Sequence, residues 1–321
     1  MKSRFLSCSV AVCVLLVACS GKSSNLEQTT PEAVEETVQI SSQRTIAHAM
    51  GNAVVPVNPQ RVVVLTNEST DIVLALGITP IGAVRSWSGA PYYDYIADDM
   101  ANVPIVGDEM QPNLERIAAL KPDLIIGSQV RQEQIYSQLN AIAPTVFSET
   151  IGESWQENLR LYGKALNREV EAEKLLTDWD RRVANLQQQL ANRNLQVSLV
   201  RFLPGAARVY LKDSFPGQIL QEVGLQRPPL QSGDGFAQEV SFEQIPAMEA
   251  DALFYFTYTG DGNNQDLTNV AEPWLNHPLW KQLSVVQLGN AHAVSDVVWT
   301  TAGGVQAANL LLDDLEKNLG L

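Results

Sequence analysis

Two glutamates stand at matching places in a stretch that the chain contains twice, at residues 113–126 and 241–256. In each copy the glutamate, Glu115 or Glu243, follows a helix-capping residue by two positions and precedes an aspartate by eight. A first-turn glutamate on its own most simply stabilises its helix, because a helix N-terminus favours negative charge. A matched pair instead predicts two similar lobes with a docking surface, on which both glutamates form charge pairs with a partner protein.

Arginine and aromatic residues follow several of the predicted strands. In open α/β sheets, ligands bind beyond the carboxyl ends of the strands, so these positions are candidates for a binding site. Arginine makes paired hydrogen bonds to carboxylate or hydroxamate oxygens, and aromatic side chains add apolar area. This composition suits a bulky, planar, partly anionic ligand. The candidates are Arg85, Trp87, Arg131, Arg201, Arg208, Tyr210, Tyr258 and Trp299.

Some of these residues also have a purely structural explanation. Arg201 and Arg208 suit the exposed face of a predicted hairpin, and Trp87 suits a core. We expect Arg131 and Arg201 to hold anionic oxygens from opposite lobes, with aromatic residues along the walls of the cleft.

The sequence offers little for catalysis or for direct metal binding. Its three histidines, His48, His277 and His292, fall on a predicted hairpin, at a helix start and before a late strand. We interpret them as exposed or capping residues, since a zinc or manganese site needs a cluster of histidine and carboxylate ligands. A haem ligand stays open, with His292 or a cleft tyrosine as candidates. No activated nucleophile or acid–base pair stands out, which predicts a protein that is not an enzyme and has no metal or cofactor of its own.

The elements that would position these residues alternate between strand and helix. Residues 62–65 form an apolar run typical of a buried parallel strand. A helix from Asp71 to Leu76 would follow, capped by Ser69 and closed by Gly77. This alternation predicts an α/β fold whose parallel sheet is covered by helices on both faces.

A long helical stretch without proline separates the two copies of the repeat. It runs from about residue 155 to 193, and Gly163 and the pair Asn167 and Arg168 could divide it. We therefore expect one long helix or two consecutive helices. The predicted organisation is an N-terminal lobe at 44–153, a connector at 154–193 and a C-terminal lobe at 194–321. The N-terminal lobe would open with a hairpin that turns at Gly51 and Asn52.

The N-terminus predicts where the protein works. Two basic residues precede an apolar stretch too short to span a bilayer, and together residues 1–18 are typical of a secretory signal. Cys19 follows small residues and resembles the lipidated cysteine of a bacterial lipobox. The alternatives are an uncleaved anchor or an ordinary signal with an incidental cysteine. Residues 19–43, rich in Ser, Thr, Gln and Glu, predict a disordered tether.

Charge and cysteine content exclude other classes. The formal net charge is −14 at pH 7, and a surface this acidic repels nucleic acid and anionic lipid headgroups. An anionic ligand remains possible, because basic side chains can gather locally in a cleft. The other two cysteines, Cys8 and Cys13, lie inside the signal. The mature chain would therefore have no disulfide and no thiol nucleophile.

With these motifs in place, the sequence resembles the substrate-binding lipoproteins of ABC importers that carry ferric siderophores, cobalamin and haem. The resemblance extends over essentially everything after residue 44. Each motif is weak alone, and their order and spacing make the resemblance specific. They are the Cys19 lipobox, the strand at 58–65, the motif at 114–124, its counterpart at 242–243 and the segment 276–280.

The resemblance implies a fold and a partner. The fold would be two Rossmann-like lobes with parallel-type sheets, joined by a single long connecting helix that limits their movement. Glu115 and Glu243 would pair with arginines on the two permease subunits. The protein would be held on the extracytoplasmic face of the cell envelope by lipidated Cys19.

The function that the resemblance implies is capture of a ferric siderophore in the cleft between the lobes and delivery to an ABC permease, driven by its ATPase. The arginines favour a hydroxamate or citrate-hydroxamate siderophore. The iron would arrive wrapped in its chelator, so the protein would need no metal ligand. The alternatives are a cobalamin or haem carrier of the same class, or a surface lipoprotein used for protein–protein contact.

Overall fold

The computed structural model describes residues 42–89, 91–258, 260 and 269–321. The predicted signal, Cys19 and almost all of the predicted tether lie outside these residues. Within the described part, no helix is both long and apolar enough to cross a membrane.

Strands form two larger sheets and two small hairpins in the described chain. The first large sheet has the order β4-β3-β7-β8, and the second has the order β11-β10-β9-β12-β13. The hairpins are β1–β2 and β5–β6. The strands are β1 Gln43–His48, β2 Gly51–Pro56, β3 Val62–Val64, β4 Gly82–Ala83, β5 Gly107–Asp108, β6 Gln111–Pro112, β7 Leu124–Ser128, β8 Thr145–Ser148, β9 Val197–Leu203, β10 Ala206–Tyr210, β11 Ala237–Val240, β12 Ala252–Thr257 and β13 Ala291–Ala293.

Helices cover both sheets. Short 3₁₀ segments lie at Asp94–Ile96, Glu133–Ile135, Pro229–Gln231 and Phe242–Met248, and Val297–Thr301 is a π-helix. The α-helices are α1 Asn67–Ala75, α2 Ala97–Met100, α3 Leu114–Ala119, α4 Gln129–Gln132, α5 Tyr136–Ile142, α6 Trp155–Leu166, α7 Glu169–Leu190, α8 Phe215–Glu222, α9 Glu272–Leu275, α10 Pro278–Gln282, α11 Ser284–Gln287 and α12 Val305–Leu319.

The two large sheets differ in strand direction. All neighbouring strands of the first sheet are parallel, and β3, β7 and β8 are buried along their whole length. Burial of this kind is expected when helices cover both faces of a parallel sheet. In the second sheet β9, β12 and β13 are parallel, whereas β10 pairs antiparallel with both of its neighbours, β9 and β11. Gly205, at φ +74°, lies in the turn between β9 and β10. The predicted α/β fold with two lobes is confirmed.

The repeated stretch has the same structural role in both lobes. In the N-terminal lobe, Asp123 accepts hydrogen bonds from the backbone N–H groups of Gln60 and Arg61, both at 2.9 Å, just before β3. In the C-terminal lobe, Asp251 accepts one from the N–H of Gln196 at 2.7 Å, just before β9. Each aspartate thus joins the first strand of its sheet to the strand that follows the glutamate helix. The internal repeat read from the sequence is therefore a repeat of structure.

The connector consists of two consecutive helices, α6 and α7. Asn167 ends α6 in the left-handed conformation, with φ 58°, and α7 packs back against α6. Trp155 and Trp179 meet edge to face with ring centroids 5.0 Å apart. Gly163 allows the close approach, because a Cβ at that position would lie 2.7 Å from the Cβ of Ala172. The expectation of one long or two consecutive helices is met by the second arrangement, with the 22-residue α7 as the longer member.

Two local predictions were displaced by a few residues. Helix α1 begins at Asn67, four residues before the predicted start, and its cap is Thr66, three residues before the predicted cap. Ser69 completes a capping box with Thr66. The first hairpin turns at Ala49 and Met50, because β2 already begins at Gly51. In both cases several adjacent residues suit a cap or a turn, so local propensity leaves the position open.

Helix α12 is capped from the opposite end of the chain. Its N-cap residue is Gly304, which has no side chain to accept from the first N–H groups. Asp71 of α1 takes this role, accepting from the N–H of Gln306 at 2.9 Å and of Ala307 at 3.1 Å. Tyr95 donates its hydroxyl to the same carboxylate at 2.7 Å. This buried aspartate therefore satisfies donors that a helix start would otherwise leave unpaired.

Gly304→Ala is expected to destabilise the protein by about 2 kcal/mol, the scale of a lost helix cap. A Cβ at Gly304 would overlap the carboxylate of Asp71, so the carboxylate must leave the two N–H groups that it caps. Chemical denaturation measures the change. Gly233→Ala is the matched control, because a Cβ there meets nothing within 4 Å. Equal stability of the two variants would contradict this role of Gly304.

Candidate functional site

A cavity of about 310 Å³ opens between the two lobes. Residues that follow strands of both sheets line it, as expected for an open α/β architecture. The first lobe supplies two acids, an arginine and a tryptophan, and the second supplies an arginine, aromatic rings and the end of the π-helix. The lining is Glu68, Trp87, Glu109, Arg131, Ile151, Gly152, Arg201, Tyr210, Phe215, Phe236, Tyr258, Thr300, Thr301, Ala302 and Gly303.

Arg131 enters the cavity from α4, directly after β7. Its Nε donates to Oε1 of Glu109 at 2.9 Å. Glu109 is buried, and its Oε2 also accepts from the backbone N–H and the side-chain amide of Asn67, at 3.0 and 2.7 Å. The acid therefore fixes the orientation of the guanidinium, and its two terminal nitrogens have no protein partner in the described chain.

Arg201 enters from β9 on the opposite side. It forms a two-point ion pair with Asp296, with Nε–Oδ1 and Nη2–Oδ2 distances of 2.7 Å. Its Nη1 donates to the hydroxyl of Tyr210 at 3.2 Å, and its Cζ lies 5.4 Å from the ring centroid of Tyr258. Each terminal nitrogen still has one further N–H. The guanidinium is thus held rigidly and keeps donors for a ligand.

Aromatic rings complete the walls. Trp87 has 38% of its surface exposed, a large fraction for a tryptophan in a folded domain. Across the cavity, Tyr210 and Phe236 meet edge to face with centroids 5.3 Å apart. Phe236 is also exposed. The site therefore offers apolar surface from both lobes beside two fixed guanidinium groups.

Glu68 is a buried carboxyl group in the cavity wall. It lies in the first turn of α1 and is 2% exposed. Its Oε1 accepts from the side-chain amide of Asn158 at 2.7 Å, and its Oε2 accepts from the N–H of Gly152. Burial raises the pKa of Glu68 to about 8, and the nearby Glu109 and Asp71 act in the same direction. The carboxyl group of Glu68 is consequently mostly protonated at pH 7.

Five of the eight predicted ligand-binding residues come together in the cavity, and three do not. Arg85 lies outside the lining in an exposed ion pair with Asp108 at 2.8 Å. Arg208 also lies outside, in an exposed ion pair with Glu239 at 2.9 Å. The residues in the lining are Trp87, Arg131, Arg201, Tyr210 and Tyr258.

Trp299 lies in the core instead of the cavity. It is fully buried, and its ring stacks on Phe254 with centroids 4.8 Å apart. Its indole N–H donates to Asp314 at 2.8 Å. The next two residues, Thr300 and Thr301, do line the cavity. The π-helix therefore points the indole inward and presents its neighbours to the site.

Sequence reasoning missed several lining residues. Glu68 falls within a segment that follows a predicted strand, so position was an available signal for it. Glu109 occupies the two-residue turn between β5 and β6, strands too short to be recognised from sequence. Phe236 precedes β11, and Phe215 begins α8, and neither follows a parallel strand.

The histidines make structural contacts. His48 accepts from the N–H groups of Met50 and Phe147 at 3.3 and 3.2 Å, and burial lowers its pKa. His277 caps α10 by accepting from the N–H of Leu279 at 3.2 Å, as the sequence suggested. The ring of His292 packs on Phe254. Among the described residues, no group of three or more His, Cys, Asp or Glu is placed to hold a metal ion.

The two repeated glutamates occupy equivalent positions away from the cavity lining. Glu115 is the second residue of α3, after the cap Asn113, and is exposed. Glu243 is the second residue of the 3₁₀ segment after Ser241, and its carboxylate accepts from the Ser241 hydroxyl at 2.5 Å. That hydrogen bond lowers the pKa of Glu243. Each lobe thus presents one exposed carboxylate at the start of a short helical segment.

Comparison with known protein families matches residues 62–292 to the periplasmic binding proteins. The chain belongs to this family. Its members with similar sequences include a probable siderophore-binding lipoprotein, YfiY, of Bacillus subtilis strain 168, 50% identical over 316 residues that cover 96% of this chain and 94% of the relative. The achromobactin-binding periplasmic protein of Dickeya dadantii strain 3937 is 36% identical over 270 residues, covering 82% of this chain and 87% of the relative.

A solved structure supports the fold. The crystal structure of Staphylococcus aureus SirA complexed with staphyloferrin B superposes with a TM-score of 0.78 at 36% identity, covering 86% of this chain and 98% of SirA. The family resemblance found in the sequence is thereby confirmed.

Proposed function

We propose that this protein is the substrate-binding component of an ABC importer and captures a ferric siderophore in the cavity between its lobes. The observation that carries the proposal is the pair of guanidinium groups, Arg131 and Arg201, fixed on opposite walls. The relatives named for siderophore binding and the SirA complex with staphyloferrin B agree with it. The iron is cargo, carried inside its chelator.

The arrangement of charge favours a chelate with anionic carboxylate or hydroxamate oxygens. Arg131 and Arg201 each have a carboxylate partner, Glu109 and Asp296, so the guanidinium groups stay oriented when the cavity is empty. A preorganised arginine loses less conformational freedom on binding, which increases affinity. With Glu68 neutral, these four charges cancel, and the chelate's oxygens add charge-assisted hydrogen bonds to donors that are already in place.

Delivery requires a partner outside the cavity. We propose that Glu115 and Glu243 pair with basic residues of the permease, one lobe to each permease subunit. The exposed position of both carboxylates and their equivalence in the repeat support this role. The family places the protein in the cell envelope outside the cytoplasm, and we further propose that lipidated Cys19 anchors it there through the segment 19–43.

A tryptophan-fluorescence titration tests the proposed function. Of the six tryptophans, only Trp87 is exposed, and it lines the cavity; the other five are buried elsewhere. Ferric staphyloferrin B and ferric citrate should quench the fluorescence saturably at submicromolar concentration, and Trp87→Phe should remove most of the quenching while calorimetry still detects binding. The iron-free chelators are the controls.

Other cargoes would give a different pattern. Saturable quenching by cobalamin or haem, with none by any ferric chelate, would replace the siderophore proposal by the corresponding carrier. Absence of binding by every compound, measured by calorimetry, would favour a role in protein–protein contact.

A further inference from the structure

Glu68 is an acid in the described lining of the cavity that has no basic partner, which is unexpected in a site for an anionic ligand. It stands where three parts of the chain meet: α1 of the first lobe, the loop at Gly152 before α6, and Gly303 after the π-helix, whose added Cβ would lie 3.9 Å from the Cβ of Glu68. An ionised Glu68 would repel the oxygens that Arg131 and Arg201 attract. Its charge therefore decides how well the cavity accepts such a ligand.

Both hydrogen-bond partners of Glu68 in the described chain are donors. The amide of Asn158 and the N–H of Gly152 each donate to one carboxyl oxygen. A protonated carboxyl group also has one O–H to donate. Neither of these N–H groups can accept it, and the described chain shows no other hydrogen bond of Glu68. Glu68 lines the cavity, so an oxygen of a bound ligand is an acceptor that the protein itself does not supply.

The surrounding charges favour the neutral form. Glu109 and Asp71 are acids close enough to raise the pKa of Glu68, which burial brings to about 8, whereas its two donors act to lower it. Tyr162 of α6 also lies near enough for the two groups to affect each other, and it stays neutral because burial raises its pKa. The cations of the cavity, Arg131 and Arg201, are each paired with another carboxylate.

We infer that Glu68 binds the ligand as a neutral carboxylic acid, donating its O–H to an anionic oxygen of the chelate and thereby completing a three-donor site with Arg131 and Arg201. This inference rests on the proposed function. When Glu68 is ionised, binding takes up one proton from the solvent, which forms the O–H bond, and no other bond is made or broken in the protein.

The sign of the pH dependence follows from this linkage. A ligand that needs the protonated form binds with full affinity below the pKa of Glu68 and progressively less above it. With that pKa at about 8, affinity should fall about tenfold between pH 7 and pH 9. At pH 8 the binding reaction should take up about half a proton per complex.

Isothermal calorimetry measures the affinity, and its use in pairs of buffers with different ionisation enthalpies gives the proton uptake. The ligand is ferric staphyloferrin B, titrated from pH 6.5 to 9.5. A protein-free titration of the chelate supplies its own proton release, which is subtracted. In Glu68→Gln the proton uptake at pH 8 and the tenfold decline should both disappear, since an amide cannot ionise. In Asn158→Leu the decline should move to higher pH, because one donor that lowers the pKa of Glu68 is gone.

Two outcomes would overturn the inference while leaving the proposed function intact. One is affinity that is independent of pH in the unaltered protein, and the other is the same decline and uptake in Glu68→Gln as in the unaltered protein. If Glu68→Gln fails to fold, the direction of the shift in Asn158→Leu decides, and an unmoved midpoint contradicts the inference. Absence of binding at pH 6.5 would instead count against the proposed function.

Discussion

Arg131→Gln and Arg201→Gln should each weaken binding of the ferric chelate about 10- to 100-fold, the loss expected for a hydrogen bond to a charged group. The side-chain nitrogen of glutamine takes the place of the arginine Nε, so Arg131→Gln can still donate to Glu109. The two terminal nitrogens and the positive charge are lost. The effect should appear mainly as faster dissociation, because the groups act inside the complex. Stopped-flow fluorescence measures the association and dissociation rates, and calorimetry measures the affinity.

Arg208→Gln is the matched control for Arg201→Gln. Arg208 stands directly opposite Arg201 in the β9–β10 pairing, but its side chain bonds to Glu239 outside the cavity. The two substitutions remove the same charge from neighbouring positions of one hairpin. If Arg208→Gln lost as much affinity as Arg201→Gln, the overall positive charge near the cleft would explain the effect. A direct hydrogen bond from Arg201 to the ligand would then be excluded.

The double variant Glu115→Ala, Glu243→Ala should bind its ligand normally and yet support almost no uptake. Both carboxylates lie outside the cavity lining, so the binding site is unchanged. Loss of both charges removes one contact from each lobe, and with them the electrostatic steering that orients the protein on its permease. Iron uptake by cells carrying the variant, beside calorimetry of the purified protein, separates the two effects.

The two single variants and a control refine this result. Each single variant should retain part of the uptake, because the other lobe can still dock. Glu157→Ala removes an exposed glutamate from the first turn of α6, a third helix start, and should leave uptake unchanged. Normal transport by the double variant would exclude the docking role and leave both glutamates as stabilisers of their own helices.

Much of the fold could be predicted because its signals are local or repeated. The apolar strands β3 and β7, the glycine that closes α1 and the two copies of the glutamate motif each depend on a few adjacent residues. The cap of α12 could not be predicted, because Gly304 has no capping side chain and Asp71 comes from a helix more than two hundred residues earlier. No pattern of nearby residues encodes that contact.

The site was predictable where it follows parallel strands. Arg131 comes shortly after β7, and Arg201 lies near the C-terminal end of β9. The rule that ligands bind at the carboxyl ends of parallel strands therefore found both. This rule identifies positions along the chain but not the direction in which their side chains point. It could not tell that the π-helix turns Trp299 into the core, or that Arg208 points to Glu239. Glu109 was missed because its hairpin carries no strand signal.

The aspartate that caps α12 also bears on how the chain is made. Synthesis and export proceed from the N-terminus, so Asp71 and Tyr95 emerge long before the 15 residues of α12. Until those residues arrive, the first half of the protein holds a carboxylate with two partners missing and an uncovered face on α1. A segment that is synthesised long after the first lobe is thus the one that completes it. A chain that lacks α12 would therefore have an incompletely packed first lobe, although every residue of that lobe is present. Proteases of the cell envelope would cleave such a chain more readily.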